Sequence, residues 1–123
     1  MYGETEAQAQ KTLIRWWAVA CRIYKLPEEA LMHITNEGKR SIVMGRQLKA
    51  MGLRTGTPDL FLAVPRGGRA GLWIELKRSK GGRVMATQQK MLDMLKEQGF
   101  SAEVCHGFDD AKNCICAYLE GSV

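Results

Sequence analysis

Two short apolar and aromatic runs, Leu60-Phe61-Leu62-Ala63-Val64 and Leu72-Trp73-Ile74-Glu75-Leu76, flank the segment Pro65-Arg66-Gly67-Gly68-Arg69-Ala70-Gly71. Such runs, separated by turn residues, predict a β-hairpin. Side chains alternate along a strand, so Glu75 and Lys77 share one side while Leu72, Ile74 and Leu76 point to the other. An acid and an amine therefore stand side by side. Asp59 begins the partner strand after the breaker Thr55-Gly56-Thr57-Pro58, and hairpin pairing brings its carboxylate toward Glu75.

Two carboxylates held close repel and raise each other's pKa unless a cation sits between them. A hard divalent ion with oxygen ligands at about 2.0–2.1 Å suits that arrangement, and magnesium keeps waters that can become nucleophiles. Lys77, adjacent to the pair, is placed to orient such a water or to stabilise charge developing on a phosphate. The pieces suit phosphodiester hydrolysis.

The charge pattern points the same way. Between Lys39 and Arg83 lie eleven basic residues and two acids, and those acids are Asp59 and Glu75. A solvated basic face gives no reason for the two central carboxylates to be the sole acids of the segment, whereas a phosphate backbone is a natural partner for its field. The length of 123 residues predicts one domain spanning 1–123. No apolar run approaches the ~18 residues of a membrane span, and the polar, acidic N-terminus does not read as a signal peptide. A cytoplasmic location is expected. Cys21, Cys105, Cys114 and Cys116 form no C-x-x-C pair. A zinc site using Cys105, His106 and the later pair is conceivable, but reduced and mostly buried thiols are the default reading.

Residues Tyr2 to about Tyr24 predict a helix with Leu13, Trp17, Cys21 and Tyr24 inward. Extending this stripe backward reaches Gln10 and Glu6. Glu6 then has two open readings, a third metal-site carboxylate or an acid favouring the first-turn dipole; Glu4 is off the stripe. After Pro27, residues 28–32 are ambiguous, and His33 to Arg40 reads as a strand or loop. There Asn36 suits a turn or a contact with DNA or a second subunit, and His33 reads as packed rather than catalytic. Ser41 is expected to cap a helix to Met51, with Leu48 and Met51 inward and Gly52 as its stop. Arg78 to Arg83 is a basic, glycine-rich loop. The next helix, capped near Thr87, turns Gln88, Leu92 and Leu95 inward and ends at Gly99. A strand over Phe100 to Cys105 follows, and then a helix capped by Asp109 or Asp110 with Ala111, Cys114, Ile115 and Tyr118 inward. The whole reads as an α/β sheet with helices against its faces.

Pro58-Asp59 followed by Glu75-Leu76-Lys77 resembles the PD-(D/E)XK nuclease signature. The surrounding Met51 to Leu60, Trp73 to Arg78, and Gln88 with Leu92, Leu95 and Gly99 narrow the likeness to the virus-type replication-repair nuclease (VRR-NUC) domain, over nearly the whole chain. The usual Pro before Asn36 is replaced by Thr35, a departure in that loop. The resemblance implies a restriction-endonuclease-like mixed sheet flanked by helices. It also implies a metal-dependent DNA endonuclease of replication or repair, structure-selective like Holliday junction resolvases. Asp59, Glu75, the Leu76 carbonyl and Glu6 would hold Mg2+ or Mn2+, with Lys77 positioning water and Gln88 bracing the site. Lys39, Arg40, Arg46, Lys49, Arg54, Arg78, Lys80 and Arg83 are the candidate DNA contacts. Small stand-alone relatives occur in phages as homodimers, so a homodimer on branched DNA, in the host cytoplasm if phage-encoded, is implied. The alternative is a DNA-binding module that has lost catalysis, against which stand the intact Asp59, Glu75 and Lys77, because phosphate binding alone has no use for carboxylates that repel it.

Overall fold

The computed structural model describes residues 3–35 and 42–121. Helix α1 (Glu6–Ile23) starts at a capping box in which Thr5 Oγ1 accepts from the Gln8 backbone N–H and Gln8 Oε1 accepts from that of Thr5. This reciprocal cap satisfies otherwise orphaned amides, so the helix begins after Thr5 rather than at Tyr2, which lies outside the described residues. A 3-10 turn, Glu28–Ala30, leads into strand β1 (Leu31–His33). Then come α2 (Ile42–Ala50), β2 (Leu60–Leu62), β3 (Leu72–Lys77), α3 (Ala86–Glu97), β4 (Ser101–His106) and α4 (Gly107–Leu119).

The strands form a mixed sheet in the order β1-β2-β3-β4. β1 and β3 each pair antiparallel with β2, with Leu31 opposite Leu62 and Leu60 opposite Ile74, so the expected hairpin is present. β3 and β4 run parallel from Leu72 opposite Ser101 to Lys77 opposite His106. A parallel pair needs a crossover, and α3 supplies it.

Alternation along β3 sorts two apolar layers. On one face Leu72, Ile74 and Leu76 join Leu60 and Leu62 and pack with Leu13, Trp17 and Cys21 of α1 and Ala111 and Ile115 of α4. Trp17 Nε1 donates to the Glu28 carbonyl at 2.8 Å, and the Tyr118 hydroxyl donates to the Val64 carbonyl at 2.6 Å, so both large side chains satisfy their polar atoms. On the other face Leu92 and Leu95 of α3 pack on Ala102, with Trp73, Phe100 and Val104 at the margin. Trp73 stacks on Phe61 with ring centroids 4.3 Å apart.

Several expected boundaries shift. α3 is capped at Met85 rather than Thr87, because the Gln88 side chain reaches back to accept from the Met85 N–H at 2.8 Å. α4 starts at Gly107, earlier than Asp109 or Asp110; Asp110 still serves the helix start by accepting from the His106 N–H at 2.8 Å. Met51 is 83% exposed rather than inward; on α2 Ile42, Val43 and Met44 are exposed as well, and Leu48, expected inward, is half-buried. His33 is likewise exposed. Ser41, Asn36, Lys39 and Arg40 lie outside the described residues.

Candidate active site

Asp59 sits where three segments meet. Its carbonyl accepts from the Ile34 N–H at 2.8 Å and lies 2.9 Å from His33 Nδ1, which ties it to the end of β1. Its side-chain Oδ2 accepts from the Leu76 N–H at 2.7 Å, which ties it to β3. Pro58 before it is buried, and Gly56 lets the loop press on α3: a Cβ there would meet the Thr87 carbonyl oxygen at 2.5 Å. With φ +86°, this position also requires the left-handed backbone that glycine tolerates.

Glu75 and Lys77 project from the side of β3 opposite the α1 and α4 layer, yet both are nearly covered, at 4% and 7% exposure. Gln88, on the first turn of α3, joins them. Lys77 Nζ donates to Gln88 Oε1 at 2.9 Å, and Gln88 Nε2 donates to Glu75 Oε2 at 3.0 Å. Lys77 Nζ also lies 3.5 Å from Glu75 Oε2. The buried acid and amine and the half-buried amide thus form one connected set. Gln89, off the inward stripe, is exposed and donates to Asp93 at 2.9 Å.

Burial pushes the Glu75 carboxyl up from an ordinary 4.5 to about 7, and the Asp59 charge pushes in the same direction; Lys77 opposes both. Glu75 therefore has the electrostatics expected of a buried acid beside a second carboxylate.

Asp59 and Leu76 also line a cleft of about 560 Å³ together with Glu6, Gln10, Lys11 and Arg78. Glu6 is exposed on its wall. Among the described residues no three His, Cys, Asp or Glu side chains converge as an ion-binding group, so Glu6 shares the cleft without closing on Asp59 and Glu75. The same result gives the cysteines no zinc cluster; Cys21 and Cys105 are buried, and Cys114 and Cys116 are half-buried. Arg78, Lys80 and Arg83 are exposed along the loop leaving β3, Arg54 is exposed beside the start of α3, and Arg46 and Lys49 are exposed on α2.

Glu4 has a structural part that its position off the helical stripe concealed. Its Oε1 accepts from the Phe108 N–H at 2.6 Å. Its N–H donates to Ser79 Oγ at 2.9 Å, and its carbonyl accepts from the Ser79 N–H at 3.2 Å. This clasp joins the start of α1, the loop after Lys77 and the start of α4. Gly107 makes room for it, since a Cβ there would lie 2.7 Å from Glu4 Oε1.

The VRR-NUC domain family matches residues 4–109, which include every element of this site. The chain belongs to the VRR-NUC family. A solved VRR-NUC domain protein has the same fold, with a TM-score of 0.84 and 25% identity over 98% of this chain and 92% of that one. No curated protein sequence matches. The mixed α/β sheet flanked by helices is thus the fold of this family, a nuclease-type fold for DNA processing. In this VRR-NUC chain Asp59, Glu75, Lys77 and Gln88 fall together at the junction of β2, β3 and α3. Among the described residues no helix is long and apolar enough to cross a membrane.

Proposed function

We propose that this VRR-NUC chain is a single-domain, Mg2+- or Mn2+-dependent DNA endonuclease that hydrolyses phosphodiester bonds in branched replication or repair intermediates. The observation that carries this reading is the buried Glu75 and Lys77, bridged by Gln88 and set beside Asp59. A purely structural ion pair gains nothing from a second carboxylate that raises Glu75, whereas a cation site does. The donor chemistry fits a hard divalent ion: carboxylate oxygens, one of them destabilised as an anion until a cation arrives.

Asp59, Glu75 and the Leu76 carbonyl would hold the ion, with Glu6 assisting from the cleft wall. When bound, it would supply an acidified water and neutralise charge on the phosphate oxygens. Lys77 carries three N–H donors; Gln88 accepts one, Glu75 Oε2 lies 3.5 Å away, and the amine would orient the attacking water or a phosphate oxygen with what remains. Gln88 bridges the amine and the carboxylate, because its amide oxygen accepts from one and its amide nitrogen donates to the other. Arg54, Arg78, Lys80 and Arg83 would hold the DNA backbone near the cleft. Arg46 and Lys49 on α2, and Lys39 and Arg40 before it, would extend that contact. Action as a homodimer in the cytoplasm belongs to the same reading, since a junction offers two equivalent strands to cut.

Incubating the protein with supercoiled plasmid and a synthetic four-way junction, in Mg2+, Mn2+ or EDTA, tests the proposal. Metal-dependent cutting with paired, symmetric incisions on the junction is expected. Binding without cutting in every metal would replace it with the DNA-binding module.

A further inference from the structure

The hairpin that carries the site has a second end. Arg66 and Arg69 close its tip: the Arg66 N–H donates to the Arg69 carbonyl at 3.0 Å and the Arg69 N–H to the Arg66 carbonyl at 2.8 Å. Gly67 and Gly68 between them have φ of 55° and 80°, the two left-handed residues of a tight hairpin turn. The tip is tied down on both sides. The Ala70 N–H donates to the Gly99 carbonyl at 2.9 Å, and the Ser101 N–H to the Gly71 carbonyl at 2.9 Å. These bonds bring the last turn of α3, with Lys96, alongside the arginines.

Arg66, Arg69 and Lys96 consequently surround one cavity of about 340 Å³, with Glu103 and Tyr118 also on its wall. Arg66 Nη1 donates to its neighbouring Pro65 carbonyl at 2.9 Å. Among the described residues the ion pair formed is Lys77–Glu75, so none of these three cations is paired with a described carboxylate, Glu103 included. Three cations around one concavity, two on a turn closed by paired backbone bonds and one on the last turn of α3, are an arrangement that an anion relieves. Guanidinium forks suit phosphate oxygens in particular.

The distance from the cutting site sets what that anion is. Leu72 and Lys77 are the two ends of β3, and at about 3.3 Å per residue they stand about 17 Å apart. One phosphate cannot occupy both ends, but one DNA strand spans that distance in about five nucleotides. We infer that the cavity at the hairpin tip is a second phosphate site, which grips the backbone of the nucleic acid about five base pairs from the position being cut. The identity of the ligand rests on the nuclease reading; the phosphate affinity does not require cutting.

The test measures binding in EDTA, where no cleavage is expected, by fluorescence anisotropy on four-way junctions with arms of about 4 or about 15 base pairs. Arg66→Ala/Arg69→Ala should weaken binding to the long-armed junction about tenfold and leave the short-armed one within about twofold. The slope of log Kd against log salt should fall by about 2 for the long arms, one phosphate contact per arginine. Arg66→Lys/Arg69→Lys should keep most of that slope. Equal weakening at both arm lengths, or an unchanged long-arm slope, overturns the inference. Inorganic phosphate that raises the Tm of the wild type but not of the alanine variant, with no arm-length effect, assigns the cavity to a small free anion and overturns it too. A chain that passes these binding tests yet never cuts DNA would sink the proposed activity and leave this inference standing.

Discussion

Raising the pH of the metal-free protein from about 5 to about 8 is expected to weaken the fold, with Glu75 as the cause. Its carboxyl titrates near 7 in the folded chain against 4.5 as an ordinary side chain. The folded state therefore holds the proton more tightly than the unfolded state. The stabilisation is fully present below about 4.5 and is lost as the pH rises through about 7. Because Glu75 is only 4% exposed, the displacement converts to about 3 kcal/mol at 1.36 kcal/mol per pH unit. Urea unfolding of wild type and Glu75→Gln across that range, in EDTA, isolates the effect, since glutamine does not titrate and other groups cancel in the difference. The wild type should lose stability relative to the variant as pH rises, and Mg2+ or Mn2+ at pH 8 should restore most of it. Parallel curves for the two proteins would refute the claim that Glu75 is a burial-strained acid awaiting a cation.

Gln88→Ala removes an acceptor from buried Lys77, a donor from buried Glu75 and the cap of the Met85 N–H. It should cost about 2–4 kcal/mol in urea unfolding at neutral pH and move the Glu75 titration further upward. Gly56→Ala forces a side chain toward the Thr87 carbonyl at a left-handed position; about 2–3 kcal/mol, and a Tm lower by about 10 °C, should appear in a thermal melt. Glu4→Ala opens the clasp to Phe108 and Ser79. Hydrogen exchange at the Phe108 amide should accelerate by about tenfold or more, while the Leu92 amide in α3 is unchanged.

What could be read from the sequence follows from how far each signal reaches along the chain. Strand alternation set Glu75 and Lys77 on one side of β3, and the helical stripe of Leu92 and Leu95 turned Gln88 toward them; both are short-range periodicities that the fold keeps. Asp59 was legible because the hairpin register follows from the two apolar runs. β1 was not, since three residues at a sheet edge carry no periodic signature. The Glu4–Phe108 bond joins residues 104 apart, which no local pattern can show. The α2 pattern misled in part: of the expected inward pair, Leu48 is half-buried while Met51 is exposed, and among the described residues that helix contributes no fully buried side chain. The basic segment likewise read as one field, whereas the fold sends Arg78, Lys80 and Arg83 to one end of β3 and Arg66 and Arg69 to the other.

The most direct test of the central claim is the rate of plasmid nicking in Mn2+ and Mg2+ by wild type, Asp59→Asn and Lys77→Met, each first shown to be folded and to bind DNA. The account predicts metal-dependent nicking that either substitution lowers by a factor of about 1,000 or more, with DNA affinity within a few-fold of wild type. Nicking that survives both substitutions would place the chemistry elsewhere in the molecule and contradict the account.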